Sequence, residues 1–290
     1  MKKLLIVDFF ALFHRARNAM KRTGREFTTS DGIPTTGVFS FMNCLISVVK
    51  EQKPTHVVIA YDAGGNFRKK EDSEYKANRG PRDDNFMTEA KLLLDEGLYS
   101  MGIECVGIQG YEADDIIATM ARQAEDERET ETVIFTCDQD LLQLVNNRTK
   151  VLLFNTAKKQ VLMGVEEVIA KWNCYPEEIA LVKAIAGDAS DNIKGVKGVG
   201  MKTAVKILQD AQMLLDLALD HKKLKGYEGQ VLHNLELVTL RHVPELGTIC
   251  WTDYELGNGN SLDYRSFLQK LEFSQLLKRA KTADELLRLN

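Results

Sequence analysis

The sequence predicts an α/β fold, a mostly parallel central sheet flanked by helices, with a C-terminal helical module after it. Three features carry that prediction. Short apolar runs end in an acid at Leu4–Val7, before Asp8, and at Val57–Tyr61, before Asp62, as strands do when both faces of a parallel sheet are covered. Between them Val38, Phe39, Met42, Leu45, Ile46 and Val49 recur at helical spacing, with Pro54 beyond the helix end, which gives a strand–helix–strand crossover. After about residue 165 the strand signal fades and helical patterns take over.

The alternation continues with a helix near Thr88–Tyr99, a strand near Glu104–Ile108, a helix from about Ala113 to Glu125, and strands at Thr132–Phe135 and Val151–Phe154. Val165–Trp172, Pro176–Ala186, Met201–Asp210, Met213–Leu219, Gln230–Leu240 and Tyr264–Ala280 read as helices. The expected division is a core over residues 1–186 and a helical module over 187–290. Residues 63–87 fit neither pattern: two adjacent glycines, few apolar residues, and Arg68, Lys69, Lys70, Lys76, Arg79 and Arg82. That is too long for an ordinary connection, so the segment is either disordered or functional.

With 290 residues, 44% hydrophobic and 28% charged, the chain can bury a sizeable core. No run approaches the roughly 18 apolar residues of a spanning helix, and the first apolar run is too short for a secretory signal. A cytoplasmic protein with no membrane partner is expected, and a monomer. The five cysteines, Cys44, Cys105, Cys137, Cys174 and Cys250, lack zinc-ligand spacing and read as reduced thiols.

Acids cluster where strands end. Asp8 and Asp62 close two strands; Glu112, Asp114 and Asp115 open a helix just after a third. Asp138 and Asp140 follow Thr132–Phe135, and Asp188 and Asp191 follow the Pro176–Ala186 helix. In an open parallel sheet the carboxyl ends of the strands form the ligand crevice. Singly, Asp114 and Asp115 could cap a helix and Asp138 could serve a turn, but turn chemistry does not explain the joint pattern. Nine clustered carboxylates repel one another, and all-oxygen ligands point to Mg²⁺ or Mn²⁺. Two such ions roughly 3.5–4 Å apart suit phosphodiester hydrolysis. The net charge of −4 becomes +5 once these nine charges are set aside, so it does not argue against a polyanionic partner.

Residues 193–206 hold Lys194, Gly195, Lys197, Gly198, Gly200, Lys202 and Thr203 with no acid. A glycine-rich turn opening a helix exposes backbone N–H groups to phosphate. The glycine spacing is wrong for a P-loop, and no Gly-Lys-Ser/Thr follows a strand.

Asp8, Asp62, Glu112-Ala-Asp114-Asp115, Asp138-Gln-Asp140, Asp188-Ala-Ser-Asp191 and the Gly195–Ala204 turn stand in the order of the 5′-nuclease (flap endonuclease) family, which the whole chain resembles. The likeness is to the 5′–3′ exonuclease domain of bacterial DNA polymerase I and to free-standing bacteriophage 5′-nucleases. It implies a Mg²⁺-dependent enzyme, with Mn²⁺ as a substitute, that cuts flapped, nicked or 5′-ended DNA, RNA-primed ends being a further candidate. Bacterial or phage-infected host cytoplasm is the implied setting, in replication or repair. It makes the glycine-rich turn a helix-hairpin-helix that can hold K⁺, and residues 63–87 an arch or clamp. Of the basic set Arg15, Arg68, Tyr75, Lys76 and Arg79 that it implies, Lys76 and Arg68 would face the scissile phosphate. The implied partition gives Asp8, Asp62, Glu112 and Asp114 to one metal and Asp115, Asp138, Asp140 and Asp191 to the other, with Asp188 nearby.

This sequence departs from the family pattern at Phe9 and Cys137, where glycine is usual, and at Gln139, where lysine is usual. With no polymerase region after Asn290, a stand-alone nuclease is expected. A haloacid-dehalogenase-like phosphatase needs Asp-x-Asp at the first strand, and Phe10 stands at that second position. A non-catalytic branched-DNA binder should have lost acids from the set, and none is missing.

Overall fold

The structure, a computed structural model, describes residues 2–80, 83–127, 129–154, 160–212 and 215–288. Arg82 of the basic segment and Met213 of the predicted Met213–Leu219 helix fall outside these residues. The strands β1 (Lys2–Asp8), β2 (His56–Ala60), β3 (Glu104–Val106), β4 (Thr130–Thr136), β5 (Thr149–Phe154) and β6 (Gln160–Met163) form one sheet in the order β3-β2-β1-β4-β5-β6. All neighbours are parallel except β5 and β6. The chain builds outward from β1 to β3 and then crosses back to the other side of β1 to lay down β4. That places a switch point between the carboxyl ends of β1 and β4, where an open parallel sheet offers a crevice.

Side-chain alternation explains why β1 is apolar throughout. Leu4 and Ile6 join Val58, Ile134 and the helix α6 (Ala113–Asp126) in one core layer. Leu5 and Val7 face the opposite layer, with α1 (Phe9–Lys21) and α2 (Thr36–Gln52). All four are 0% exposed, and removing one such side chain to alanine costs about 2–5 kcal/mol.

The helix predicted at Thr88–Tyr99 is α4 (Asp84–Leu92) continued through a π-turn at Leu93–Gly97 into α5 (Leu98–Ser100). Short α3 (Phe67–Glu71) stands inside the basic segment. Beyond β6 come α7 (Val165–Trp172), α8 (Ile179–Ala186), the two-residue strands β7 (Gly187–Asp188) and β8 (Ile193–Lys194), α9 (Met201–Asp210), α10 (Leu215–Leu219) and α11 (Glu228–Val238).

The predicted Tyr264–Ala280 helix is three pieces, α12 (Ser261–Lys270), α13 (Ser274–Lys278) and α14 (Ala280–Leu287). The chain breaks at Glu272, whose φ is +57°. Tyr264, Phe267, Leu268, Leu276 and Leu287 pack in the α1–α2 layer. Residues 261–288, expected with the helical module, thus return to cover the core sheet. The reason is the apolar stripe they share with α2, which needs covering on that face.

Candidate active site

Asp8 ends β1 and caps α1. Its Oδ1 accepts from the Ala11 N–H at 3.2 Å and its Oδ2 from the Thr136 hydroxyl at 2.8 Å. Burial pushes its carboxyl up to about 7; the Thr136 hydrogen bond opposes this, while Asp138 and Asp62 reinforce it. Asp62 lies two residues past β2, and its Oδ1 accepts from the Ala113 N–H at 2.8 Å, tying that loop to the start of α6. Burial first, then Asp138 and Asp8, hold the Asp114 carboxyl well above its usual range, against the pull of Lys76. Asp138 is likewise raised, chiefly by burial, with Lys183 opposing. Acids from β1, the α6 N-terminus and the end of β4 therefore act on one another at the switch point.

The flanking acids hold cations. Glu112 accepts from Lys76 Nζ at 2.6 Å, from Tyr75 Oη at 2.9 Å and from Arg68 Nη1 at 3.1 Å. Asp191 accepts from Arg79 Nη2 at 2.7 Å and Tyr75 Oη at 3.1 Å. Lys183 bridges Asp140 and Asp188, the latter at 2.6 Å. Lys183 is buried and sequence reasoning missed it; its only signal is a lone charge inside the apolar α8, shortly before Gly187-Asp188. Among the described residues no group of three or more His, Cys, Asp or Glu closes around a point as a ready metal shell. These acids are neutralised instead by lysine and arginine. The donor chemistry still suits a hard divalent cation, since the facing groups are carboxylate oxygens whose repulsion such a cation relieves.

Two of the expected site residues are engaged with each other. Arg68, expected to face a phosphate, is 2% exposed and donates all five N–H groups. Two go to Asp115 at 2.7 and 2.8 Å, one to Glu112, and one each to the Leu237 and Thr239 carbonyls at 2.8 Å. Asp115, expected as a metal ligand, is 0% exposed. Its oxygens are taken by that guanidinium, by the Arg241 N–H at 2.9 Å and by the Glu112 N–H at 3.3 Å. Together they rivet the basic segment to α6 and α11.

The basic segment itself is folded down on the acids. Tyr75 and Lys76 are buried, and Lys76 takes a left-handed φ of +54°. Beside the buried rings of Tyr75 and Phe86, its anchors are polar: Lys76 N–H to Asp191 O at 2.8 Å, Asn192 Nδ2 to Glu74 O at 2.7 Å, and Asn78 Nδ2 to Ala189 O at 3.0 Å. At its far end Asp83 accepts both Nη groups of buried Arg17 at 3.0 Å.

A cleft of about 480 Å³ is lined by Arg79, Asp138, Asp140, Lys183, Asp188 and Met201, so the acids share a wall with the first residue of α9. Arg15 lines an adjoining groove on α1 with Phe10, His14, Arg22 and Cys137. In the glycine-rich turn Lys194, Lys197 and Lys202 are exposed and Val196 and Val199 buried, with Gly198 at φ +77° and Gly200 preceding α9. Thr203 donates its N–H to the Gly200 carbonyl at 2.9 Å. Phe9, where glycine was the pattern, starts α1 in an ordinary helical position and packs on Phe13 and Phe41.

Fold and site together define an α/β domain with acids gathered at a switch point, a cationic segment laid over them and a glycine-lysine turn alongside. Residues 3–173 match the 5'-3' exonuclease N-terminal resolvase-like domain, and residues 174–256 match the 5'-3' exonuclease C-terminal SAM fold. A 5'-3' exonuclease of Bacillus subtilis is 36% identical over 243 residues, 80% of this chain and 79% of that one. DNA polymerase I of Caldicellulosiruptor bescii is 36% identical over 228 residues, 77% of this chain but 26% of that protein. The chain thus spans about a quarter of the length of such polymerase relatives. A bacteriophage T5 flap endonuclease, solved with DNA and metal ions, superposes with a TM-score of 0.67 at 20% identity, covering 99% of this chain and 100% of that one. The chain belongs to the 5′–3′ exonuclease family, as its motifs imply. No helix among the described residues is long and apolar enough to cross a membrane.

Proposed function

We propose that this chain is a divalent-metal-dependent, structure-specific 5′-nuclease that hydrolyses DNA phosphodiesters near 5′ ends, with Mg²⁺ as the metal, in the cytoplasm of a bacterial or phage-infected cell. The observation that supports it best is the convergence of acids from β1, the α6 N-terminus and the end of β4 at the switch point, where burial first and neighbouring carboxylates second raise Asp8, Asp114 and Asp138. Asp8, Asp62, Glu112 and Asp114 would hold one ion and Asp138, Asp140 and Asp191 a second, with Asp188 nearby; Asp115 drops out of the set. Such ions supply an activated water and charge relief at the leaving oxygen. Lys76, which lies on Glu112, and Lys183, which lies on Asp140 and Asp188, would be the ammonium groups nearest the phosphate. A fixed cation of this kind is worth about 10²–10³ in rate. The turn at Gly195–Gly200 would grip the duplex backbone as a helix-hairpin-helix.

The test is cleavage of end-labelled flap, nicked and single-stranded DNA with Mg²⁺, with Ca²⁺ and with EDTA. Asp140→Asn should keep the fold and lose at least about a hundredfold in single-turnover rate. Cleavage within tenfold of wild type would remove Asp140 from the metal set.

A further inference from the structure

We propose that Asn234 is a positioning residue that fixes the distance between the acid cleft and the glycine-rich turn, and thereby sets which phosphodiester is cut; this rests on the nuclease reading above.

The acids Asp188 and Asp191 and the glycine-rich turn belong to one short stretch. β7 and β8 pair antiparallel, Gly187 opposite Lys194 and Asp188 opposite Ile193. A Cβ on Gly187 would lie 2.3 Å from the Gly195 nitrogen, and one on Gly195 2.0 Å from the Ala186 carbonyl oxygen. The two backbones therefore touch, and only glycine fits at either position. A ladder of two residues on each side does not hold itself in water. The Val196 N–H to the Ile185 carbonyl at 2.9 Å extends it, and side chains of α11 brace it.

Asn234 is 4% exposed. Its Nδ2 donates to the Ala184 carbonyl in α8 and to the Lys194 carbonyl in β8, each at 2.9 Å. An amide nitrogen has two hydrogens, so both bonds form at once. Gln230, one turn earlier, donates to the same Lys194 carbonyl at 2.7 Å. α8 carries Lys183, which holds Asp140 and Asp188. α11 also receives the basic segment, through His233 to Asp72 at 3.0 Å and the Leu237 carbonyl from Arg68 Nε at 2.8 Å. One helix is thus the common mount of the acid loop, the turn and the segment above them.

A grip on backbone phosphates carries no sequence information. The position of the cut must then come from a fixed distance between grip and acids, and Asn234 is the side chain that bridges the two mounts. An amide that only fills the core would, when removed, lower stability and every activity together, without moving the cut.

The experiment compares wild type, Asn234→Ala and Gln230→Ala on an end-labelled flap substrate, with duplex Kd measured in Ca²⁺ and amide exchange followed at residues 187–200. For Asn234→Ala the cuts should spread over at least two neighbouring phosphodiesters, and the single-turnover rate should fall at least about tenfold, since small misplacements cost up to about 10²-fold. Kd should stay within about threefold, because phosphate contacts by the turn lysines are untouched. Exchange at 187–200 should quicken while the sheet stays protected. Gln230→Ala removes a partly exposed amide from the same carbonyl and should shift both readouts the same way, less far; it decides the matter if Asn234→Ala does not fold. One sharp cut at the wild-type position in both variants, or unchanged exchange at 187–200, overturns the proposal. Absence of cleavage by the wild type refutes the nuclease reading instead, and exchange at 187–200 still tests the Asn234 bridge.

Discussion

Replacing Arg68 by methionine keeps most of the buried stem and removes a guanidinium whose five N–H groups are all donated. The side chain left behind, Asp115, is 0% exposed and keeps only two backbone N–H donors, from Arg241 at 2.9 Å and Glu112 at 3.3 Å. Burial works against the charge of Arg68, but the hydrogen bonds and charge of Asp115 outweigh it and the guanidinium holds its proton more tightly than usual. Breaking such a pair from one side costs about 3–5 kcal/mol, because a buried charge loses its partner. At roughly 2–4 °C per kcal/mol for a chain of this class, Tm should fall on the order of 10 °C. Removing both charges is much milder, since well-packed apolar groups can replace a buried pair at little cost. Arg68→Met with Asp115→Leu should therefore recover most of the lost Tm, a coupling that a double-mutant cycle reads directly. The assay is thermal unfolding by circular dichroism in EDTA, paired with single-turnover cleavage in Mg²⁺. A single variant whose Tm stays within 2 °C of wild type while cleavage collapses would refute the rivet and return Arg68 to the phosphate.

Two further outcomes follow from the site. Asp8 titrates near 7 in the folded state against an ordinary 3.8, so between those values the native protein binds more protons than the unfolded chain. Stability of the metal-free protein should then fall as pH rises from about 4 to about 7 and level off above. Tm followed across that range in EDTA should show the decline in wild type and a flatter profile in Asp8→Asn; superposable profiles would contradict it. Lys197→Ala with Lys202→Ala should weaken binding to every duplex alike and reduce the slope of log K against log salt by about 2, at roughly 0.9 per phosphate contact. An unchanged slope would mean those lysines are only solvated.

Local chemistry made much of the molecule legible. An apolar run that stops at an acid is contained within a few residues, so β1, β2 and β4 and the acids at their ends could be read directly. Helical periodicity placed α9 at Met201–Asp210 without error. Among the elements that escaped are α1 and β6. α1 starts at Phe9, immediately after β1, with no turn residues to separate them. The antiparallel β6 lies at the sheet edge, with Val161 and Leu162 42% and 40% exposed, and so lacks the buried alternation that marks its neighbours.

What the sequence determined by itself was the α/β class, the family and the acids that crowd the carboxyl edge, because each depends on residues close together in the chain. What only the tertiary structure decided was which charges are free to act. Arg68 and Lys76 look alike in a run of basic residues, yet Arg68 is consumed by Asp115, Leu237 and Thr239 while Lys76 lies on Glu112. Lys183 and Asn234 sit in helices that predict nothing about them until α8 and α11 bring them to Asp188 and Lys194. A buried charge takes its role from the partners folding brings to it, and here those partners lie up to 171 residues away.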